Sequence, residues 1–423
     1  MEELRGIFAS ALIERSQIYL FIGETDRALS DCNLGLSAKI SERYRIKLSL
    51  LKAEFFLRGK KDYNEAEKIV SGLLGKPEIS KIPELHCQAI NLMGGIKRYG
   101  GDLDKALEYY GRALEFNLGP NKEHNRGIVA TNIASIYHLK GRIDTAMEYL
   151  DVAQRSFERS GDPFYLADSK KDLGLMLLEK GEYARAEGLF LNYLKKAREI
   201  NHKKGIAEVL NFLGYLYKSK GDLKNSFRRR NEYLKLAREM NDEYLICSAL
   251  ISLGVNYQET GDHARATGLL KKALSLAGKK GYVNFTVSAY LNLIGSYLAT
   301  SDRKNAFIVL KKAEKLIEGI KNPNYSFHFY NSYAIYEERE KNFKAAAGFY
   351  ELARMSAEQM DKGEWSVSVR IRKVECLRQS GDDTAGEESS LRDYAAVKGL
   401  LDILAKEEDK VKRRGHHGPG QKT

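Results

Sequence analysis

The sequence predicts an all-α fold, a stack of about ten helix pairs closed by a C-terminal capping helix. Three observations carry this. A turn dipeptide recurs every 40 residues, at Gly101-Asp102, Gly141-Arg142, Gly181-Glu182, Gly221-Asp222, Gly261-Asp262, Ser301-Asp302, Lys341-Asn342 and Gly381-Asp382, without an insertion. Small side chains keep fixed places around it. Five residues after the first turn residue stand Ala106, Ala146, Ala186, Ser226, Ala266, Ala306, Ala346 and Gly386. Seven before it stand Gly94, Ala134, Gly174, Gly214 and Gly254, then Ile294 and Ala334. Finally, only six prolines occur among 423 residues, too few for a fold rich in turns. Pro163 and Pro323 share one register in the loops between pairs, where no helix is broken. At about 150 residues per domain the length would suggest two or three domains, but the repeat reads as one quasi-linear array.

Each element follows from its residues. Residues 1–74 hold two atypical pairs, the first marked by Tyr19, Gly23 and Ala28, the second by Phe56, Gly59 and Ala66. Gly59-Lys60-Lys61-Asp62-Tyr63 lengthens the second turn, and Met1 falls just before the first helix. Residues 75–83, with Pro77 and Pro83, form an irregular connection, Pro83 being suited to begin the next helix. Residues 84–396 are the regular array. Within it, Ile206, Leu210, Leu213, Gly214 and Tyr217 recur at helical spacing. Gly221 fits a left-handed C-cap and Asp222 the N-cap that follows. Leu223, Phe227, Leu234 and Ala237 continue the stripe on the second helix. The small positions let neighbouring backbones approach, with Tyr137, Tyr217, Tyr257 and Tyr297 filling the space beside them. No pair can bury its own apolar face, so neighbours must stack. Residues 397–412 read as a charged capping helix and residues 413–423 as a disordered basic tail.

The pattern Leu-Gly-x-x-Tyr-x-x-x-Gly-Asp-x-x-x-Ala, best seen from Phe212 to Ala237 and from Ser252 to Ala273, resembles the tetratricopeptide repeat. The 40-residue period and endings such as Leu194-Lys195-Lys196-Ala197-Arg198-Glu199 look more like the long repeats of LGN/Pins-type scaffolds, kinesin light chains and bacterial peptide-sensing regulators. The resemblance covers roughly residues 4–396 and implies a right-handed α-α superhelix with a concave, ligand-binding groove. It implies no catalytic residue.

The residues themselves carry no catalytic signature. The eight histidines lack ligand spacing on any helix face, and no phosphate-binding or nucleophile motif occurs. No enzyme activity, cofactor or metal is expected. Cys32, Cys87, Cys247 and Cys376 lie far apart, with no C-x-x-C pair, which fits a reducing compartment. The N-terminus has acidic residues where a signal peptide would be basic, and no long apolar run follows. A soluble cytoplasmic protein without a membrane partner is therefore expected.

A groove lined by the first helix of each pair would expose the positions beside the packing stripe. These include Asn91, Arg98, Thr131, Asn132, His138, Lys171, Asp172, Asn211, Phe212, Tyr215, Lys218, Gln258, Asn292, Asn331, Arg339 and Arg372. A carboxamide can donate to one backbone group of an extended peptide and accept from another. Any one Asn would equally serve to solvate a helix face; the recurring set makes peptide binding the preferred reading. The wall mixes Lys and Arg with Asp and Glu, whereas a nucleic-acid groove should be strongly basic.

The expected function is a non-catalytic scaffold that binds an extended peptide or helical segment of another protein. Alternatives are a peptide-sensing regulator and a nucleic-acid-associated protein using the basic tail and outer face. A nucleic-acid partner is disfavoured because the charge is spread: the net +12 includes five bases and no acid in residues 410–423. One repeat breaks register. Arg230 stands where Tyr110, Phe190, Leu270, Leu310 and Tyr350 stand elsewhere, beside Arg228 and Arg229. The preferred reading is compensation by Tyr193 and Tyr233, with the Arg stem packed and its head in solvent. The other reading is a basic docking spot for an acidic partner.

Overall fold

A computed structural model of the chain describes residues 2–22, 24–60, 62–115, 121–320 and 322–416. Among the described residues there are 22 α-helices and no strand. They make ten pairs, one single-turn helix between the second and third pairs, and a last helix, in two compact units, Met1–His202 and Lys203–Thr423. The repeat runs through the boundary without a shift in period.

The first unit opens with α1 (Glu2–Ile22), α2 (Thr25–Ser37), α3 (Glu42–Phe55) and α4 (Tyr63–Leu74). The lengthened turn begins as a π-helical turn, Phe56–Lys60, continuous with α3. Gly23 and Lys61 lie outside the described residues. The connection at 75–83 contains a single-turn helix, α5 (Pro77–Ser80), and Pro83 does start the next one. Regular pairs follow: α6 (Pro83–Tyr99) with α7 (Leu103–Glu115), α8 (Lys122–Leu139) with α9 (Ile143–Ser160), and α10 (Pro163–Glu179) with α11 (Tyr183–Glu199).

The second unit holds α12 (Lys203–Ser219) with α13 (Leu223–Glu239), α14 (Glu243–Glu259) with α15 (His263–Lys280), and α16 (Val283–Ala299) with α17 (Arg303–Ile320). Then come α18 (Pro323–Arg339) with α19 (Phe343–Gln359), α20 (Gly363–Ser380) with α21 (Ala385–Val397), and α22 (Leu401–His416). Leu404 of α22 packs with Val367, Ile371, Leu391 and Ala395, covering the apolar faces of α20 and α21. The backbone of residues 413–416 continues this helix instead of beginning a tail, and residues 417–423 lie outside the described residues.

The turn register has a conformational cause. All eight first turn residues have positive φ, from 57° at Ser301 to 89° at Gly101. That region is open to glycine and costs other residues about 1–2 kcal/mol. Asp102, Asp222, Asp262 and Asp302 then cap the next helix, each Oδ1 accepting a backbone N–H three residues on at 3.0–3.1 Å. A second positive-φ series lies between pairs, at Gly161, Asn201, Asn241, Gly281 and Asp361.

The small positions work differently from expectation. The second-helix alanines from Ala106 to Ala346 are fully buried, as is Ser226. The glycines of the first helices, however, admit a large side chain sixteen residues on, not a neighbouring backbone. A Cβ at Gly94 would lie 2.5 Å from the Tyr110 ring, one at Gly174 2.9 Å from Phe190, and one at Gly254 2.9 Å from Leu270. The tyrosines lie beside the small positions as expected: Tyr137 stacks on Tyr149 against Ala134 and Ala146, Tyr297 packs with Ile294 and Ala306, and Tyr257 meets Phe227. In the last pair Gly386 is exposed, so the small-residue register stops there.

Candidate functional site

Consecutive first helices pack on one another, α6 on α8 in the first unit, α12 on α14, α14 on α16 and α16 on α18 in the second. They form an inner layer in each unit, and most of the proposed binding residues stand on it. Because neighbouring first helices run parallel one period apart, side chains 41 residues apart come face to face. Asn132 Nδ2 donates to Asn91 Oδ1 at 3.0 Å, and Ser252 Oγ to Asn211 Oδ1 at 3.2 Å. His138 Nε2 meets Glu179 Oε1 at 2.7 Å, and Lys218 Nζ meets Glu259 Oε1 at 3.1 Å. Each wall is thus a ladder of polar rungs that ties repeats together while leaving further donors and acceptors on each carboxamide.

The remaining positions divide by what they touch. In the first unit Arg98 donates to Ser135 Oγ at 2.7 Å, and Thr131 Oγ1 to Gly127 O of its own helix at 3.0 Å. Lys171 is a correction: only 4% exposed, it is no part of an open wall. Its ammonium lies 2.9 Å from Asp168, 3.5 Å from Asp172 and over the Tyr193 ring. In the second unit Tyr215 is 49% exposed, with Lys218 Nζ over its ring at 5.9 Å. Phe212 and Asn331 are half-buried. Gln258 Nε2 donates to Asn292 O at 2.7 Å and Ser296 Oγ at 2.8 Å, while Asn292 donates to Ser288 O within its helix. Arg372 and the Tyr350 hydroxyl share Glu338 Oε2, at 2.5 and 2.8 Å. Arg339, exposed, donates to Leu298 O and lines a cleft of ≈ 290 Å³ with Tyr297, Arg303 and Tyr336.

The rungs shift proton equilibria. Glu179 holds the His138 imidazolium, raising its pKa above the ordinary 6.5 against the effect of burial. The folded-state value being raised, this rung's contribution to stability is complete below the unfolded pKa and is lost as pH rises through the folded one. His86 and His328 go the other way, lowered by burial. An NMR titration should place His138 above both, and Glu179→Gln should lower it, leaving burial opposed only by the charge of Asp172. A His138 value unmoved by that substitution would refute the rung as its cause.

Arg230 is a second correction. Its head does not reach solvent; the residue is 3% exposed. Nη1 donates to Ser252 O and Asn256 Oδ1, and no hydrogen-bond partner faces Nε. Asn256, fully buried, donates to Ser226 Oγ at 2.9 Å, and Ser226 Oγ donates to Gly214 O at 2.6 Å. Burial lowers the Arg230 pKa to about 10, against the raising influence of Glu259 and Tyr215. Position 256 is Ile96, Ile136, Met176 and Leu216 elsewhere in the register, so three polar substitutions in one place form one buried network. The sequence showed 230 as a departure and Ser226 only as a small residue in register; the packing of α14 on α13 joins 256 to them.

The four cysteines are free and buried. Among the described residues no helix is long and apolar enough to cross a membrane. No protein-family model matches the chain, and no curated protein matches it in sequence. Solved structures do match its fold. A Rap protein in complex with competence and sporulation factor superposes with TM-score 0.62 at 14% identity, over 84% of this chain and 98% of that one. The apo quorum sensor NprR from B. thuringiensis gives 0.61 at 16%, over 83% and 97%. A signal-transduction ATPase with a tetratricopeptide repeat sensor from Pyrococcus horikoshii gives 0.58 at 17%, over 87% of this chain and 56% of that one. The fold is a tetratricopeptide-type helical solenoid. At these identities the likeness speaks for the fold alone. The expected helix-pair architecture is met, and the tetratricopeptide resemblance with it.

Proposed function

We propose that the chain is a tetratricopeptide-type regulator or scaffold that binds an extended peptide segment along the inner layer of its second unit. The observation that carries this is the wall itself. Asn211, Tyr215, Lys218 and Gln258 stand on consecutive first helices, half-buried or exposed, with no metal-ligand or nucleophile arrangement beside them. An exposed tyrosine flanked by a lysine and carboxamides offers an apolar anchor and directional polar contacts, the combination that concentrates binding energy at interfaces. Structures of the same fold add support, since the Rap conjugation gene regulator of plasmid pLS20 and NprR are each found in complex with a peptide. A non-catalytic role accords with these neighbours. The rungs bear on mechanism: a ligand that takes over Asn211 or Lys218 breaks a contact between repeats, so occupancy and packing of neighbouring pairs are coupled.

The test is selection of peptides from a random 12-residue display library, followed by fluorescence anisotropy with the selected sequences. Asn211→Ala with Lys218→Ala is expected to weaken them at least tenfold, while Lys195→Ala with Lys196→Ala, on exposed outer positions, leaves them unchanged. Selected peptides that bind both variants like the wild type would place recognition elsewhere.

A further inference from the structure

The outer face of the second unit carries a charge pattern that peptide binding does not use. On α13 six basic residues stand against two acidic ones, on α15 five against none, and on α17 five against two. Together they account for twelve net positive charges, as many as the whole chain carries. The corresponding second helices of the first unit, α7, α9 and α11, hold eight basic and nine acidic residues. The pattern is therefore local to three successive second helices. Fourteen of the sixteen basic side chains are exposed, the exceptions being Arg229 and Arg230. Among the described residues, Lys272, Lys279, Lys304, Lys312 and Lys315 have no carboxylate within 4.0 Å. Like charges at this density repel one another and give up that repulsion only to a polyanion.

We infer that this face, formed by α13, α15 and α17, is a docking surface for the phosphate backbone of double-helical DNA. Three features choose that occupant. A protein partner would need a cluster of apolar anchors, and a single strand would need stacking platforms. The three helices expose only one adjacent apolar pair, Phe307 and Ile308 of α17, each at 41%, and no other aromatic ring. Phosphate neutralisation, by contrast, uses charge alone and needs no pocket. One face of the carboxylate-free α15 is buried against α14 and α16; its exposed ridge runs 18 residues, about 27 Å, and can enter the roughly 12 Å major groove of B-form DNA. The flanking second helices then offer lysines to the backbones on either side. The deep, narrow major groove of duplex RNA does not admit such a ridge.

The experiment is fluorescence anisotropy of the full chain with a labelled 24-base-pair DNA duplex at rising salt. Binding is expected to weaken with a log–log slope of about −4 or steeper, the sign of several phosphates neutralised. Lys272→Glu with Lys312→Glu should reduce affinity at least tenfold. Lys195→Glu with Lys196→Glu, the same charge change on α11, should reduce it less than threefold. No binding at low salt, or equal losses in both variants, would overturn the inference. So would tighter binding of duplex RNA, of single-stranded DNA, of polyglutamate or of phosphatidylserine vesicles than of the DNA duplex. Circular dichroism of both variants checks that the helices are intact.

Discussion

Asn256→Leu is expected to destabilise the second unit by about 2–3 kcal/mol, the cost of leaving a buried, charged donor without its acceptor. The substitution restores the apolar type found at Ile96, Ile136 and Leu216, and a reading by register alone would call it harmless. The network says otherwise. Asn256 Oδ1 is one of two acceptors for the Arg230 guanidinium, whose Nε has no hydrogen-bond partner. With leucine there, a cation whose pKa burial has already lowered keeps only the carbonyl of Ser252. Arg230→Leu should be near neutral, in keeping with Leu270 and Leu310 at the same register. It removes the cation, and Ser226 and Asn256 can still satisfy each other. The double variant should recover most of the loss, giving a coupling of at least about 2 kcal/mol in a double-mutant cycle. Urea and thermal midpoints measure all three. An Arg230→Leu loss larger than that of Asn256→Leu would show that the arginine is a net stabiliser.

The turn series was legible because backbone conformation demands it. A position that needs positive φ selects glycine, and six of eight repeats obey that choice across the array, Ser301 and Lys341 being the exceptions. The second series was missed because Asn201, Asn241 and Asp361 occupy it, residues that tolerate the left-handed region without announcing it as glycine does. The buried alanines were legible as well, since one small type recurs at one place. The wall was legible by position only. Its rungs join residues 41 apart, so the signal lay in pairs such as His138 with Glu179 and Lys218 with Glu259, not in any single column. Lys171 sits in a wall column and is buried because Asp168 and Asp172 of its own helix hold it inward. Nothing in the repeat period marks the boundary at His202, because repeats on both sides obey the same pattern. The basic face emerges only when the net +12 is divided helix by helix and the exposure of α13, α15 and α17 shows those side chains facing outward.

Gly94→Ile is expected to cost the first unit about 3 kcal/mol, and Tyr110→Leu in the same chain is expected to restore at least half of it. The argument rests on volume. At Gly94 the first added carbon would already stand 2.5 Å from one atom of the Tyr110 ring and 2.6 Å from another, well inside van der Waals contact. The ring cannot swing away, since Tyr110 is fully buried among Cys87, Ile90, Ala106, Ala113 and Val129. Forcing extra carbons into such a core costs about 1–3 kcal/mol or more. The chain itself supplies the compensated combination, for Ile294 stands sixteen residues before Leu310, both fully buried. Gly188→Ala is the control of opposite sign. It lies mid-helix on α11 with nothing within 4 Å of its added carbon, so it should stabilise by up to about 1 kcal/mol through helix propensity. Thermal midpoints by circular dichroism should therefore fall for Gly94→Ile, recover in the double variant and rise for Gly188→Ala. A Gly94→Ile midpoint equal to the wild type would mean that the pair tolerates both volumes at once, and the sixteen-residue complementarity would no longer explain why glycine recurs there.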